Sequence, residues 1–153
     1  MTRFSAVSLR RAPFAVGIAV VSAACSGGYD MKYDGPLQMK DAWVRATNVT
    51  GTAAMYLTLE NRDTATVIIV GAETQLARAA EFHETMEMRG TSHMNKLDSL
   101  PIARGATLTM KPGGIHIMLI DLHASLAAGD SVALLVHLAD GRTTSVNAIA
   151  RDQ

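Results

Sequence analysis

Turn residues punctuate this chain so closely that only short strands fit between them. Asn61–Asp63, Arg89–Ser92, Lys111–Gly114, Gly129–Asp130 and Asp140–Gly141 mark reversals. The segments they separate alternate apolar with polar residues or are rich in β-branched side chains. DAWVRAT sets Ala42 and Val44 against Trp43 and Arg45, and AAMYLTLEN sets Met55, Leu57 and Leu59 against Tyr56, Thr58 and Glu60. ATVIIVGAE is a continuous β-branched run, which predicts a strand covered on both faces. ARAAEFHETMEM, GATLTM, GIHIMLIDL, SVALLVHLA and TTSVNAIA complete the set. No long stretch holds a 3.6-residue period with caps, and only Gln75–Ala80 has room for one helical turn. About eight strands at this spacing predict an antiparallel sandwich or barrel with Greek-key connections.

The first 40 residues do not share this pattern. Arg3, Arg10 and Arg11 precede a short apolar run, AVGIAVVSAA, and then Cys25. That order is the order of an export signal, and the run is too short to span a bilayer as a mature helix. SAACS resembles a bacterial lipobox, with Ser22 where leucine is usual. The expected organisation is a signal peptide over 1–24, a flexible tether over 25–40 with Cys25 a candidate for lipidation, and one β domain over 41–153. The expected location is the bacterial cell envelope, either free in the periplasm or held at a membrane through Cys25. Plain cleavage near this site is the alternative to lipidation.

Charge excludes more than it identifies. Lys and Arg total 14, as do Asp and Glu. Loss of residues 1–24 leaves 11 basic against 14 acidic residues. Nothing in that balance attracts nucleic acid. Cys25 is the only cysteine, so the domain contains no disulfide and no thiolate. Nine methionines stand beside three phenylalanines and one tryptophan. Most of them, Met55 and Met110 included, read as plastic core filler, and Trp43 reads as a core anchor.

GGIHIMLIDLHA departs from that pattern. Residues two apart share a strand face, so His116 and Met118 emerge together while Ile115, Ile117 and Leu119 point the other way. Upstream lie His83 in EFHET and Met94 in SHMNK, completing the spacing H-x10-M-x21-H-x-M. Thioethers are soft, uncharged ligands that select Cu(I) over hard cations, and imidazole is a competent partner for it. Without a thiolate such a set is neither a blue-copper centre nor a structural zinc site.

This spacing, with DAWVRAT, AAMYLTLEN and LTMKPGGIHIMLIDL around it, resembles the periplasmic PCuAC copper chaperones from Asp41 to Ala150. The resemblance implies a cupredoxin-like Greek-key β-sandwich that binds Cu(I) through His83, Met94, His116 and Met118. It implies delivery of copper toward the binuclear copper centre of cytochrome c oxidase. The implied partner is a copper-accepting protein, either an oxidase subunit or another assembly chaperone such as a Sco-type protein. A regular hairpin about Arg89–Ser92 would set Met94 opposite Glu87, about 13 Å along the strand from His83. An irregular, flexible GTSHMN segment is therefore expected.

The remaining candidates rank below these four. His93 takes the opposite face from Met94 and is the first reserve ligand. His123 and His137 read as structural. Met86 and Met88 have the wrong parity relative to His83 and read as core or rim, with a role as auxiliary thioethers if the strand is broken. Glu81 and Glu84 are positioned to orient the His83 ring or to remain solvated. No catalytic constellation has a supporting motif, so no enzyme is expected. A metal-free envelope interaction module and a copper-buffering or resistance protein remain as alternative readings.

Overall fold

The computed structural model describes residues 35–152. The signal peptide read over 1–24, Cys25 and most of the tether lie outside the described residues. Ten strands form the domain: β1 (Leu37–Arg45), β2 (Thr52–Asn61), β3 (Val67–Glu73), β4 (Ala77–Met88), β5 (Thr91–Leu97), β6 (Leu100–Ile102), β7 (Thr107–Thr109), β8 (Ile115–Leu122), β9 (Ser131–Leu138) and β10 (Thr143–Arg151). The domain thus starts at Leu37, inside the segment read as tether, and Leu37 is fully buried.

Neighbouring strands run in the order β4-β8-β2-β1-β10-β9-β3, and a β3–β4 pairing at Ala72 and Ala80 closes seven of them into a barrel. β5 extends β4, β6 extends β3, and β7 pairs with β2. Closure pairs the two ends of this seven-strand path, leaving edges at the strands appended to it. One pairing departs from the expected antiparallel arrangement: β1 and β10 run parallel, bringing the start and end of the domain together.

Strand alternation fills the barrel. Met55, Leu57 and Leu59 of β2, Ile117 and Leu119 of β8, and Leu134 and Val136 of β9 are nearly inaccessible. Burying each contributes roughly 1.5–3 kcal/mol. The β-branched run of β3 follows the same rule. Val67 and Ile69 face the core, while Ile68 and Val70 are exposed, so only one face of this strand is covered. No helical turn forms at Gln75–Ala80, since Gln75 and Leu76 make a turn and β4 begins at Ala77. Leu76 still packs against the core from that turn.

The β4–β5 reversal is tighter than expected. Met88 pairs with Thr91, leaving a two-residue loop of Arg89 and Gly90, whose φ angles are 54° and 76°. Positive φ at both positions is the type I′ arrangement that matches strand twist. Glycine accepts it freely, whereas arginine in this region carries a backbone strain of roughly 1–2 kcal/mol. Arg89→Asn is expected to raise stability by about 0.5–1 kcal/mol, because asparagine tolerates the left-handed region. A higher urea midpoint at unchanged slope checks this, and an unchanged midpoint refutes it.

Candidate functional site

The site lies on the outer face of β5, β4, β8 and β2. On β8 the core takes Ile117 and Leu119, so His116 and Met118 are directed outward. On β4 the core takes Phe82, so His83 shares that outer face. Antiparallel register sets His83 directly opposite His116. One strand further, Met55 pairs with Ile117, which brings Tyr56 beside His116. Their ring centroids are 6.2 Å apart. Trp43 in turn packs on Tyr56 at 4.5 Å. Trp43 thus packs against the core from its margin rather than from within it. It is partly buried and ends an aromatic row that shields His116, which is only 5% exposed although it faces away from the barrel interior.

Register also revises the position of Met94. It pairs with Thr85, not Glu87, because the loop has two residues. It lies two residues along the ladder from His83, about 7 Å, and on the same face. The expected irregular segment is instead the regular strand β5, in seven consecutive pairs from Phe82–Leu97 to Met88–Thr91. Met94, His116 and Met118 border one open pocket of about 350 Å³ together with Tyr56, Thr85 and Arg45. His83 stands next to His116 and is not among the residues lining that pocket. Met94 is half-exposed, Met118 partly buried.

The two imidazoles are held by different partners. His116 Nδ1 donates to the Gly114 carbonyl at 3.0 Å, which leaves Nε2 as the lone-pair nitrogen. His83 Nε2 contacts Glu81 Oε2 at 3.1 Å. As donor in that bond it leaves Nδ1 with the lone pair, and among the described residues Nδ1 is buried without a hydrogen-bond partner. A buried nitrogen left unsatisfied in this way is rare. The ring centroids are 6.0 Å apart. Metal–nitrogen bonds of roughly 2 Å would set two imidazoles on one ion at about that separation.

Glu81 anchors the outer side. Lys96 Nζ donates to its Oε1 at 2.9 Å. That hydrogen bond, followed by the one from His83, holds the Glu81 carboxyl below the usual carboxylate range. Glu81 therefore remains a charged acceptor that orients the His83 ring. Glu84, the other candidate for that part, alternates to the opposite face.

Among the described residues no three His, Cys, Asp or Glu side chains gather to hold a metal ion. The thioethers of Met94 and Met118 are the other donors on this face, and thioethers favour soft monovalent metals. The other candidates lie elsewhere. His123 Nδ1 donates to the Gln75 carbonyl at 3.1 Å. His137 is 3.6 Å from Glu73. His93, Met86 and Met88 occupy the opposite face of the β4–β5 hairpin, with both methionines exposed rather than in the core. Tyr56 and Gly114 are the contributors that motif spacing missed. Strand alternation identifies Tyr56 as outward-facing, but nothing in the sequence gives its register.

A cupredoxin-like barrel with two histidines and two methionines on one outer face defines a domain of the PCuAC type. The chain belongs to the LpqE-like family, described as "Putative lipoprotein LpqE-like", whose profile matches residues 37–150. It is 35% identical over 117 residues to the putative lipoprotein Lxx21020 of Leifsonia xyli subsp. xyli, covering 76% of this chain and 70% of that protein. The Cu(I) form of DR1885 from Deinococcus radiodurans superposes with a TM-score of 0.59 at 30% identity, over 78% of this chain and 83% of that one. The copper-bound PCuAC domain of PmoF2 gives a TM-score of 0.64 at 18% identity, over 78% of this chain and 95% of that one, a likeness of fold.

Proposed function

We propose that this protein is a Cu(I) chaperone of the bacterial cell envelope, not an enzyme, with His83, Met94, His116 and Met118 as the copper ligands. The observation that carries the reading is the buried, unpartnered Nδ1 of His83 beside His116. Together they offer two imidazole lone pairs to one ion, with the thioethers of Met94 and Met118 flanking the pair. The Cu(I)-bound state of DR1885, a relative at 30% identity, supports copper as the cargo. The lipoprotein descriptions of the family and of the Leifsonia relative support an exported protein.

The donors fit cargo rather than a permanent cofactor. Thioethers hold Cu(I) without charge and lose no proton on binding, so the ion leaves without reprotonation of sulfur. The open pocket and the half-exposed Met94 let the ligands of an acceptor approach before the first site has fully let go. Transfer then proceeds by ligand exchange. The acceptor in this reading is a copper-receiving protein of cytochrome c oxidase assembly, an oxidase subunit or a Sco-type chaperone.

X-ray absorption on protein loaded with one equivalent of Cu(I) tests the ligand set. Two sulfur and two nitrogen neighbours are expected. A first shell without sulfur, or a failure to hold one equivalent against a moderate Cu(I) chelator, overturns the reading.

A further inference from the structure

The β4–β5 hairpin outruns the barrel. β8 accompanies β4 only as far as the Glu84–Ile115 pair, so Met86 and Met88 have β5 alone beside them. On this projecting arm the face opposite Met94 carries Met86, Met88 and His93. Met86 pairs directly with His93, and Met88 is two residues further on, opposite Thr91. Met86 is 37% and Met88 57% exposed, and His93 is exposed as well. Among the described residues no hydrogen bond or ion pair engages the His93 ring.

We infer that this face of the hairpin is a second soft-metal site, in which Met86, Met88 and His93 bind one Cu(I) ion outside the barrel-face set. Packing accounts for the two thioethers only in part, since Met88 is more than half exposed and Met86 more than a third. Geometry favours convergence. Directly opposed residues have Cβ atoms about 4.5–5.5 Å apart, and Met86 and Met88 are about 7 Å apart along one strand. Methionine has three rotatable bonds, enough for both sulfurs to meet the imidazole over the arm. Two thioethers and an imidazole favour a soft monovalent ion, and Glu84, the carboxylate on this face, lies at its barrel end, two residues before Met86 and opposite Asn95. The type I′ turn keeps the three in register. This site is weaker than the barrel face because its side chains must be ordered on binding. Its last ligand, His93, adjoins Met94, so the two sites lie back to back across one strand.

The site stands independently of the barrel-face reading, and the test separates them. The full chain, in a Cys25→Ser background with 13C-methyl methionine, is titrated anaerobically with Cu(I) and in parallel with Ag(I). Two equivalents are expected, the second held at least ten-fold more weakly. The second should shift the methyl signals of Met86 and Met88 and the ring signals of His93, and leave the core residues Met55 and Met110 unmoved. Met86→Leu, Met88→Leu, His93→Asn should abolish the second equivalent and keep the first. His116→Ala, Met118→Leu should keep the hairpin shifts while the barrel-face equivalent is lost. Absence of shifts at Met86, Met88 and His93 at two equivalents, or a second equivalent that survives the triple substitution, overturns the inference.

Discussion

The His116→Ala, Met118→Leu double variant is expected to lose Cu(I) affinity at the barrel face by more than 100-fold. The exposed control His123→Ala should bind as the parent does. Loss of a partner that merely orients a ligand typically weakens metal binding by about 10–100-fold. Removing two of the proposed ligands outright should exceed that range. His116 contributes most because its ring is already fixed: the Gly114 carbonyl holds Nδ1 at 3.0 Å, and the Tyr56 and His83 rings flank it at 6.2 Å and 6.0 Å. Little conformational entropy remains to be lost when the ion arrives. Met118→Leu conserves volume and should disturb packing by less than about 1.5 kcal/mol. Met94→Leu alone should lower affinity less, near ten-fold, because a half-exposed thioether must be ordered on binding. Anaerobic competition against a Cu(I)-chelating dye measures all four proteins, with thermal unfolding run beside it to separate lost ligands from lost fold. Affinity unchanged in the double variant would remove the barrel face from consideration.

Much of this arrangement is legible in the sequence, and the reason is parity. Alternation alone gives His116 and Met118 a common face and sends Ile117 and Leu119 inward. The β4–β5 hairpin shows how far such reasoning tolerates error. A four-residue loop would pair Met94 with Glu87, whereas the two-residue loop pairs it with Thr85. The slip is an even number of residues, so Met94 keeps the His83 face and only its distance changes. The loop length is hard to read because Arg89 is an unusual occupant of a left-handed position. Register between strands distant in the chain is equally hidden. Nothing in DAWVRAT or AAMYLTLEN announces that Trp43 and Tyr56 stack next to His116, and a lone tryptophan in a small domain is more readily taken for a core residue. The exposed Ile68 and Val70 mislead in the same way. A β-branched run signals strand, but its burial depends on which neighbours the barrel supplies.

The largest stability effect is expected far from the ligands, at Asn61. This residue ends β2, is only 1% exposed, and passes for a turn residue in the sequence. Its side chain joins three segments. Nδ2 donates to the carbonyls of Ala65 at 2.9 Å and Ile102 at 2.8 Å, and Oδ1 accepts from the Asp63 amide at 2.8 Å. Its own backbone is bound to the turn before β7, donating to the Ala106 carbonyl and accepting from the Gly105 amide. Asn61→Ala removes the partner of two carbonyls and one amide, the Ile102 bond buried and the other two part-buried. Each buried group left unpaired costs about 1–3 kcal/mol. Water entering the vacated volume recovers part of that. A net loss of about 3 kcal/mol is expected, lowering Tm by roughly 10 °C in a domain of this size. Asn61→Asp should be no milder, since it keeps the acceptor for Asp63 but turns an oxygen toward two carbonyls. Copper affinity should hold in both variants below their melting points, because the far end of β2, at Ala54 and Tyr56, is the part that borders the pocket. Thermal unfolding followed by circular dichroism decides the point. A Tm within about 2 °C of the parent would mean that water replaces the amide in full, and that the loops at this end of the barrel are held by their backbone bonds alone.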